Sequence, residues 1–425
     1  MTFSVKRIAT AAVAALAAVG MLASCGSGSA DDDNTLTIFN SKAELQDEFE
    51  AMAKQYEEKT GVHIEVYLSN DTVAAHMSTR YASHDPYVLS MVDAKDVYSL
   101  GPDHAVDLSD QDWVGDTDYA ITVDGKTMGF PFAVEARGLL YNADAIEAAT
   151  GEPFNPEDYQ TLDAFKALIK KIKAGGVESP TGVLKEDWSL AGHYLPQVYE
   201  EQDDPAAFIK GLNDGSVTLA DDPKFESLMD TFDVLKENNY AKDSAISAEK
   251  DVSYQKLAEG EICFLFGGNW DWGSINQYDY TENIGIMPVP QNTDDGSNQK
   301  LVGGGSKFFF IDSSSDVTDE QRQMAKDWLN WLVSDPEGQK FVSDTCSLVS
   351  PFKSNTIEPT NPLGASVKQY ADSGNLIANY NYLPDDHYPT LGAEFQKYLA
   401  GQEDRGQFAE AVQTYWKNAD MSAIQ

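Results

Sequence analysis

Three cysteines in 425 residues exclude a disulfide-stapled scaffold. Basic residues are also scarce, 30 Lys and Arg against 69 Asp and Glu, for a formal net charge of -39. A surface of that sign repels phosphate backbones, which excludes nucleic acid as a partner, and it disfavours docking on anionic lipid. The six histidines, His63, His76, His84, His104, His193 and His387, form no close pair at metal-ligand spacing, so no metal is expected. The sequence lacks H-E-x-x-H, a phosphate-binding G-x-x-x-x-G-K-[ST] loop and a G-x-S-x-G nucleophile elbow. Asp294-Asp295-Gly296 comes nearest to a calcium loop but misses its remaining ligands. No cofactor and no catalytic residue is therefore assigned. Beyond Leu22 no apolar run reaches the length of a membrane span. Aromatic residues, by contrast, are plentiful, with 20 Tyr, 19 Phe and 7 Trp. Packed cores can be built from these, and a chain of this length exceeds one core, so two lobes are expected.

The N-terminus indicates a compartment. Lys6 and Arg7 precede an apolar run from Ile8 to Leu22, the pattern of a secretory signal. The run ends Leu22-Ala23-Ser24-Cys25, with small residues before a cysteine. This resembles the lipobox of bacterial lipoproteins and implies a signal peptide over 1–24 and lipidation at Cys25. Residues 25–34, rich in Gly, Ser and Asp, read as a flexible tether. The expected location is the outer face of the cytoplasmic membrane of a bacterium of the Gram-positive kind. The lipid anchor would be the sole membrane contact.

Hydrophobic patterning gives an α/β fold. Leu36 to Phe39 reads as a short buried strand. Ser41 and Glu44 then match a capping box, with Leu45, Phe49, Met52 and Tyr56 as one apolar stripe and Gly61 as the stop. Val62 to Tyr67 reads as the next strand, which makes a βαβ start. Further strands are expected over Tyr87–Val92, over Met128–Leu140 with a break at Pro131, and over Ile262–Phe266. Helices are expected after Thr161, over Leu184–Val198 and Phe225–Leu235, after Thr318 and Asp335, and over Phe408–Trp416. Gln291 to Gln299 is a polar loop. Cys263 and Cys346 read as two separate thiols.

Four ordered segments carry a family resemblance. They are Leu36-Thr37-Ile38-Phe39-Asn40-Ser41 with its helix, Gly129-Phe130-Pro131-Phe132 through Tyr141-Asn142, Gly260 through Gly267-Gly268-Asn269-Trp270, and Ala325 to Trp331 with Asp335-Pro336-Glu337-Gly338. Pro288-Val289-Pro290 and Val302-Gly303-Gly304-Gly305 follow the third. Together they resemble the extracellular solute-binding proteins of ABC importers, in the oligosaccharide family that includes maltose-binding protein. The resemblance implies a two-lobe periplasmic-binding-protein-like fold with hinge crossovers and an interlobe ligand cleft. Lobe one would take 35–142 plus 302–346, and lobe two 143–301 plus 347–425. It implies a monomer that captures a carbohydrate and delivers it to ABC transporter permease subunits, with no enzymatic activity.

Site candidates follow from strand ends and from that resemblance. Trp270 stands after a Gly-Gly-Asn turn, where small residues would leave the indole face open to a sugar ring. Trp272 is weighed between packing and binding. Glu135 lies in the hinge motif and can accept from two hydroxyls. Asn40, Lys42 and Glu44 lie at the C-terminal edge of the first strand, where α/β sheets place ligands, and Asp93, after the strand Tyr87–Val92, resembles the family's first-lobe acidic position. Trp188 and Tyr388 are the second-lobe aromatic candidates. Met91 stands where maltose-binding protein has a stacking tryptophan, so maltose itself is not implied. Two other readings stay open, a secreted glycoside hydrolase with a carboxylate pair and a binder of a cationic solute such as a polyamine.

Overall fold

The computed structural model describes residues 34–69, 71–422 and 424. The signal peptide, Cys25 and nearly all of the tether lie outside the described residues. Among these residues ten strands form one mixed sheet. They are β1 (Thr35–Asn40), β2 (His63–Leu68), β3 (Leu89–Asp93), β4 (Ile121–Val123), β5 (Lys126–Asn142), β6 (Thr181–Gly182), β7 (Phe264–Gly268), β8 (Ile284–Met287), β9 (Leu301–Ile311) and β10 (Leu376–Ala378). The main order is β2-β1-β3-β9-β5-β7-β6. β1 is parallel to β2 and β3, as a βαβ start requires, whereas β9 runs antiparallel to both β3 and β5.

Two strands belong to both lobes. β5 has 17 residues, nearly all buried, well beyond the usual strand length. Its first part meets β4 and the late part of β9, and its last part meets β7 and β8. The register with β9 shifts between Pro131 and Val134. Pro131 therefore does not end the strand. It sits where the ladder is already irregular and its missing N–H costs least. The cores divide at the same place. Phe130, Phe132 and Ala133 pack with Phe49, Phe309, Trp328 and Phe341, while Val134 and Ala136 pack with Leu265, Leu301 and Val349. A large aromatic core around Phe165, Tyr194, Phe232, Phe395 and Trp416 completes lobe two.

Local structure follows patterning with a few departures. Phe49, Met52 and Tyr56 are buried on one face of the helix Gln46–Thr60, with Leu45 buried just before it, and the helix ends at Gly61 with φ of 78°. Ser41 does not cap it. A 3₁₀ turn over Ala43–Leu45 intervenes, and the Ser41 hydroxyl has no hydrogen-bond partner among the described residues. Thr161 and Thr318 do cap their helices, through the N–H groups of Ala164 and Gln321. The segment expected to be one helix over Leu184–Val198 instead widens to a π-helical turn, Trp188–Tyr194, before a short helix at Gln197–Glu200. Cys263 and Cys346 are buried free thiols. Trp272 is buried in the core, edge-on to Tyr280. Met91 is also core, opposite Phe309. Among the described residues no helix is long and apolar enough to cross a membrane.

Candidate functional site

A cavity of about 370 Å³ opens between the lobes, over the crossing of β5 and β9. Glu135 and Arg137 stand two residues apart on β5 and so face it together. Lys42 reaches it from the end of β1. The Asn40 side chain shapes that turn, accepting the Lys42 N–H at 2.8 Å and donating to Gln46 at 3.0 Å. The Lys42 ammonium then meets Glu135 Oε1 at 2.9 Å and Glu44 Oε1 at 2.8 Å. The side chains of Lys42 and Glu135 are each 6% exposed. Burial works against the Lys42 charge, but Glu135 and Glu44 outweigh it and raise the pKa above the ordinary lysine range. Burial likewise pushes the Glu44 carboxyl up, and Lys42 overrides it and holds it below its usual value.

Two further cations line the lobe-one wall. Lys307, on β9, donates to Asp93 at 2.5 Å. The Asp93 carboxyl, pushed up by burial and pulled down more strongly by Lys307, ends below its usual range. Lys95 bridges Asp96 at 2.9 Å and Asp385 at 2.8 Å. Asp385 comes from the segment between β10 and the helix His387–Leu399, so this ion pair spans the mouth of the cleft.

Arg137 organises the lobe-two wall. Its Nε donates to the His193 carbonyl at 2.9 Å and one amino group to Asn379 at 2.7 Å, while the other binds the Glu200 carboxylate. Glu200 in turn accepts the Tyr380 N–H at 3.0 Å. One guanidinium thus fixes three separate chain segments around the cavity. The His193 ring lies edge-on to Trp188, 5.5 Å between centroids, and against Trp270 at 4.8 Å. Burial, with Arg137 adding to it, depresses this imidazole to about 3, so it is neutral at physiological pH.

The turn that carries Trp270 is pinned on both sides. Asn269 accepts the N–H of Ala136 on β5 at 2.9 Å. Asp271 accepts the Gly268 N–H at 3.0 Å and the Tyr254 hydroxyl at 2.8 Å. The two glycines serve the turn itself. A methyl on Gly268 would lie 2.4 Å from the indole, and one on Gly267 would lie 2.1 Å from the Asp271 carboxylate. They seat the indole and its anchor, rather than clearing a path for ligand as the sequence suggested.

Of the sequence candidates, Trp270, Glu135, Asp93, Lys42, Glu44 and Tyr388 line the cavity. Asn40 is buried beneath Lys42 and does not line it. Trp188 also stays out of the lining, behind His193. Sequence reasoning did not select Arg137, His193, Lys307 or Asp385 as site residues. For Arg137 the signal was present, two residues from Glu135 on a strand. Lys307 and Asp385 come from segments more than 200 residues from their partners, and no local pattern points to them.

Residues 51–362 match the family model of bacterial extracellular solute-binding proteins. The chain belongs to that family. This solute-binding protein is 22% identical over 387 residues to the melibiose/raffinose/stachyose-binding protein MelE of Bacillus subtilis, covering 86% of this chain and 85% of that one. It is 25% identical to the maltodextrin-binding protein MdxE of the same organism over 59% of this chain and 57% of that one. Its fold is similar to the solved structure of the binding protein RafE in complex with raffinose. The TM-score is 0.72 at 19% identity, with 90% of this chain and 98% of that chain covered. Two-lobe architecture is thus common to this solute-binding protein and its structural neighbours.

Proposed function

We propose that this protein captures a neutral oligosaccharide between its lobes and delivers it to the permease of an ABC importer. The observation that carries this reading is the pairing of charge around the cavity. Lys42 is matched by Glu135 and Glu44, Lys307 by Asp93, Lys95 by Asp96 and Asp385, and Arg137 by Glu200. Such a wall offers oriented hydrogen-bond donors and acceptors without a bare charge. Trp270, a neutral His193 and Tyr388 add rings on the opposite side. Hydroxyls plus apolar ring faces are what this combination accepts, and the names of the relatives MelE and MdxE point the same way. A polyamine would need unpaired carboxylates. A glycoside hydrolase needs a carboxylic acid of raised pKa at the bond it cleaves. The carboxyls raised here, Asp96, Glu201 and Asp271, stand outside the cavity lining.

The same proposal places the protein as a monomer, held at the outer face of the membrane through a lipid on Cys25. Ligand-binding roles are assigned to Trp270, Glu135, Lys42, Glu44, Asp93 and Tyr388. A thermal-shift panel of mono- and oligosaccharides tests the central claim. A bound sugar at a hundredfold excess over Kd adds roughly 2.7 kcal/mol of apparent stability. A rise in Tm with a polyamine and with no sugar, or release of hydrolysis products, would overturn it. Loss of lipid labelling in Cys25→Ala tests the anchor.

A further inference from the structure

β9 is paired along one edge by β5 from Val302 to Phe309. Its other edge is shared. β10 pairs it at Leu301–Gly303 and β3 at Lys307–Ile311. Between them, from Gly304 to Ser306, no strand among the described residues covers that edge. The sheet therefore has a gap at the level of the cleft, bordered by Asp93 of lobe one and Asn379 of lobe two.

The gap leads somewhere. A second cavity of about 450 Å³ lies beyond it and shares Gly305, Asn379 and Asn381 with the cleft. Of β9, Val302, Ser306 and Lys307 line the cleft and Gly303, Gly304 and Phe308 the second cavity, with Gly305 common to both, so the strand walls the two spaces in turn. The glycines keep the passage clear. Gly304 has φ of 152°, a conformation that other residues rarely adopt, and a methyl there would point between Tyr119 at 3.8 Å and Asn379 at 4.0 Å. Tyr119 is half-buried, and both it and Tyr98 line this second cavity. The rims belong to different lobes, and Tyr98 meets Tyr382 across them with 4.6 Å between ring centroids. Lobe opening would part the rims, so a chain could be laid into the gap sideways.

We propose that the second cavity is a subsite for the overhanging end of a linear oligosaccharide whose other end fills the cleft, with Tyr119 as its stacking ring. This rests on the carbohydrate reading above. It makes ring number the property for which the protein selects.

Calorimetric titration with two sugar series tests it, melibiose, raffinose and stachyose in one, maltose and its longer maltodextrins in the other. Affinity should rise with ring number in the series that binds. Tyr119→Ala should cost about tenfold for the longest sugar and leave the shortest bound member unchanged, and Tyr119→Phe should restore the loss. Ala378→Trp, which fills the second cavity from the exposed end of β10, should abolish the preference for length. Affinity independent of ring number, or equal losses at every length in Tyr119→Ala, would overturn this inference alone. Failure of every sugar in both series to bind would overturn the carbohydrate reading and this inference with it.

Discussion

Trp270 is held as a fixed surface before any ligand arrives. Its turn is bonded to β5 through Asn269 and closed by Asp271, and Gly268 lies under the indole. Little conformational freedom remains to be lost on binding, and an indole presents a large apolar face. Trp270→Ala should weaken binding by about thirtyfold or more, roughly 2 kcal/mol, with the circular dichroism spectrum nearly unchanged. Gly268→Ala is the companion test. Its methyl must displace the indole by steric overlap alone, so affinity should fall although Trp270 is intact. A large drop in Tm with wild-type affinity in Trp270→Ala would instead mark a packing residue. That Trp270 and Lys42 line the cavity was legible because strand ends mark the crevice of an α/β sheet, and Glu135 because it sits in the hinge motif, in the middle of β5. The direction of a side chain at such an end was not legible. Asn40 occupies the expected edge, yet its amide turns inward to shape the Lys42 turn. Trp188 stands behind His193 for a similar reason, since widening of its helix to a π-turn shifts which residues face the cavity.

At the scale of elements, the polar connection after β8 is stitched to lobe two by buried side chains. Glu201, at the end of the helix Gln197–Glu200, accepts the amides of Gln197 and Gln291, each at 2.7 Å. Asn298 donates to the carbonyls of Gln160 and Gln291, each at 3.1 Å. Burial pushes the Glu201 carboxyl up to about 7, and its second oxygen has no hydrogen-bond partner among the described residues. The folded chain then holds this proton more tightly than the unfolded chain does. Stability is full below the ordinary carboxylate pKa and declines as pH rises through about 7. Glu201→Gln keeps an acceptor for the two amides and removes the charge. It should therefore raise Tm at about pH 8, by an effect on the order of 3 kcal/mol or less, and change little at about pH 4. Equal effects at both pH values would show that packing, not ionisation, sets the response. Much at this scale was visible in sequence, as the caps at Thr161 and Thr318 and the stop at Gly61 show. The Ser41 cap read from the sequence does not form, because a 3₁₀ turn over Ala43–Leu45 comes first and the chain there carries Lys42 to Glu135.

At the scale of the whole molecule, contacts across the cleft set the balance between closed and open lobes. Lys95–Asp385 and Tyr98–Tyr382 join the two walls of the cleft, so lobe opening should break both. The ion pair is partly exposed, so it adds at most about 1 kcal/mol and weakens with salt. Lys95→Met and Asp385→Asn should each speed ligand release by up to about fivefold, and the double variant should release no faster than either single one. Additive effects in stopped-flow release would mean that one of the two touches the ligand instead. Scattering should report a smaller radius of gyration with saturating sugar than without it. Two lobes were foreseeable from chain length and from the glycine-rich crossing, but the cross-cleft pairs join segments that no periodicity connects. The division of the cores has a consequence for biosynthesis. Phe49 and Phe132 need Phe309, Trp328 and Phe341 to complete their cluster. The N-terminal third of the chain therefore cannot finish folding until some two hundred later residues have been made. A nascent chain that stays loose for so long remains narrow enough to pass through a secretion channel, so the order of its strands suits it to export before it folds.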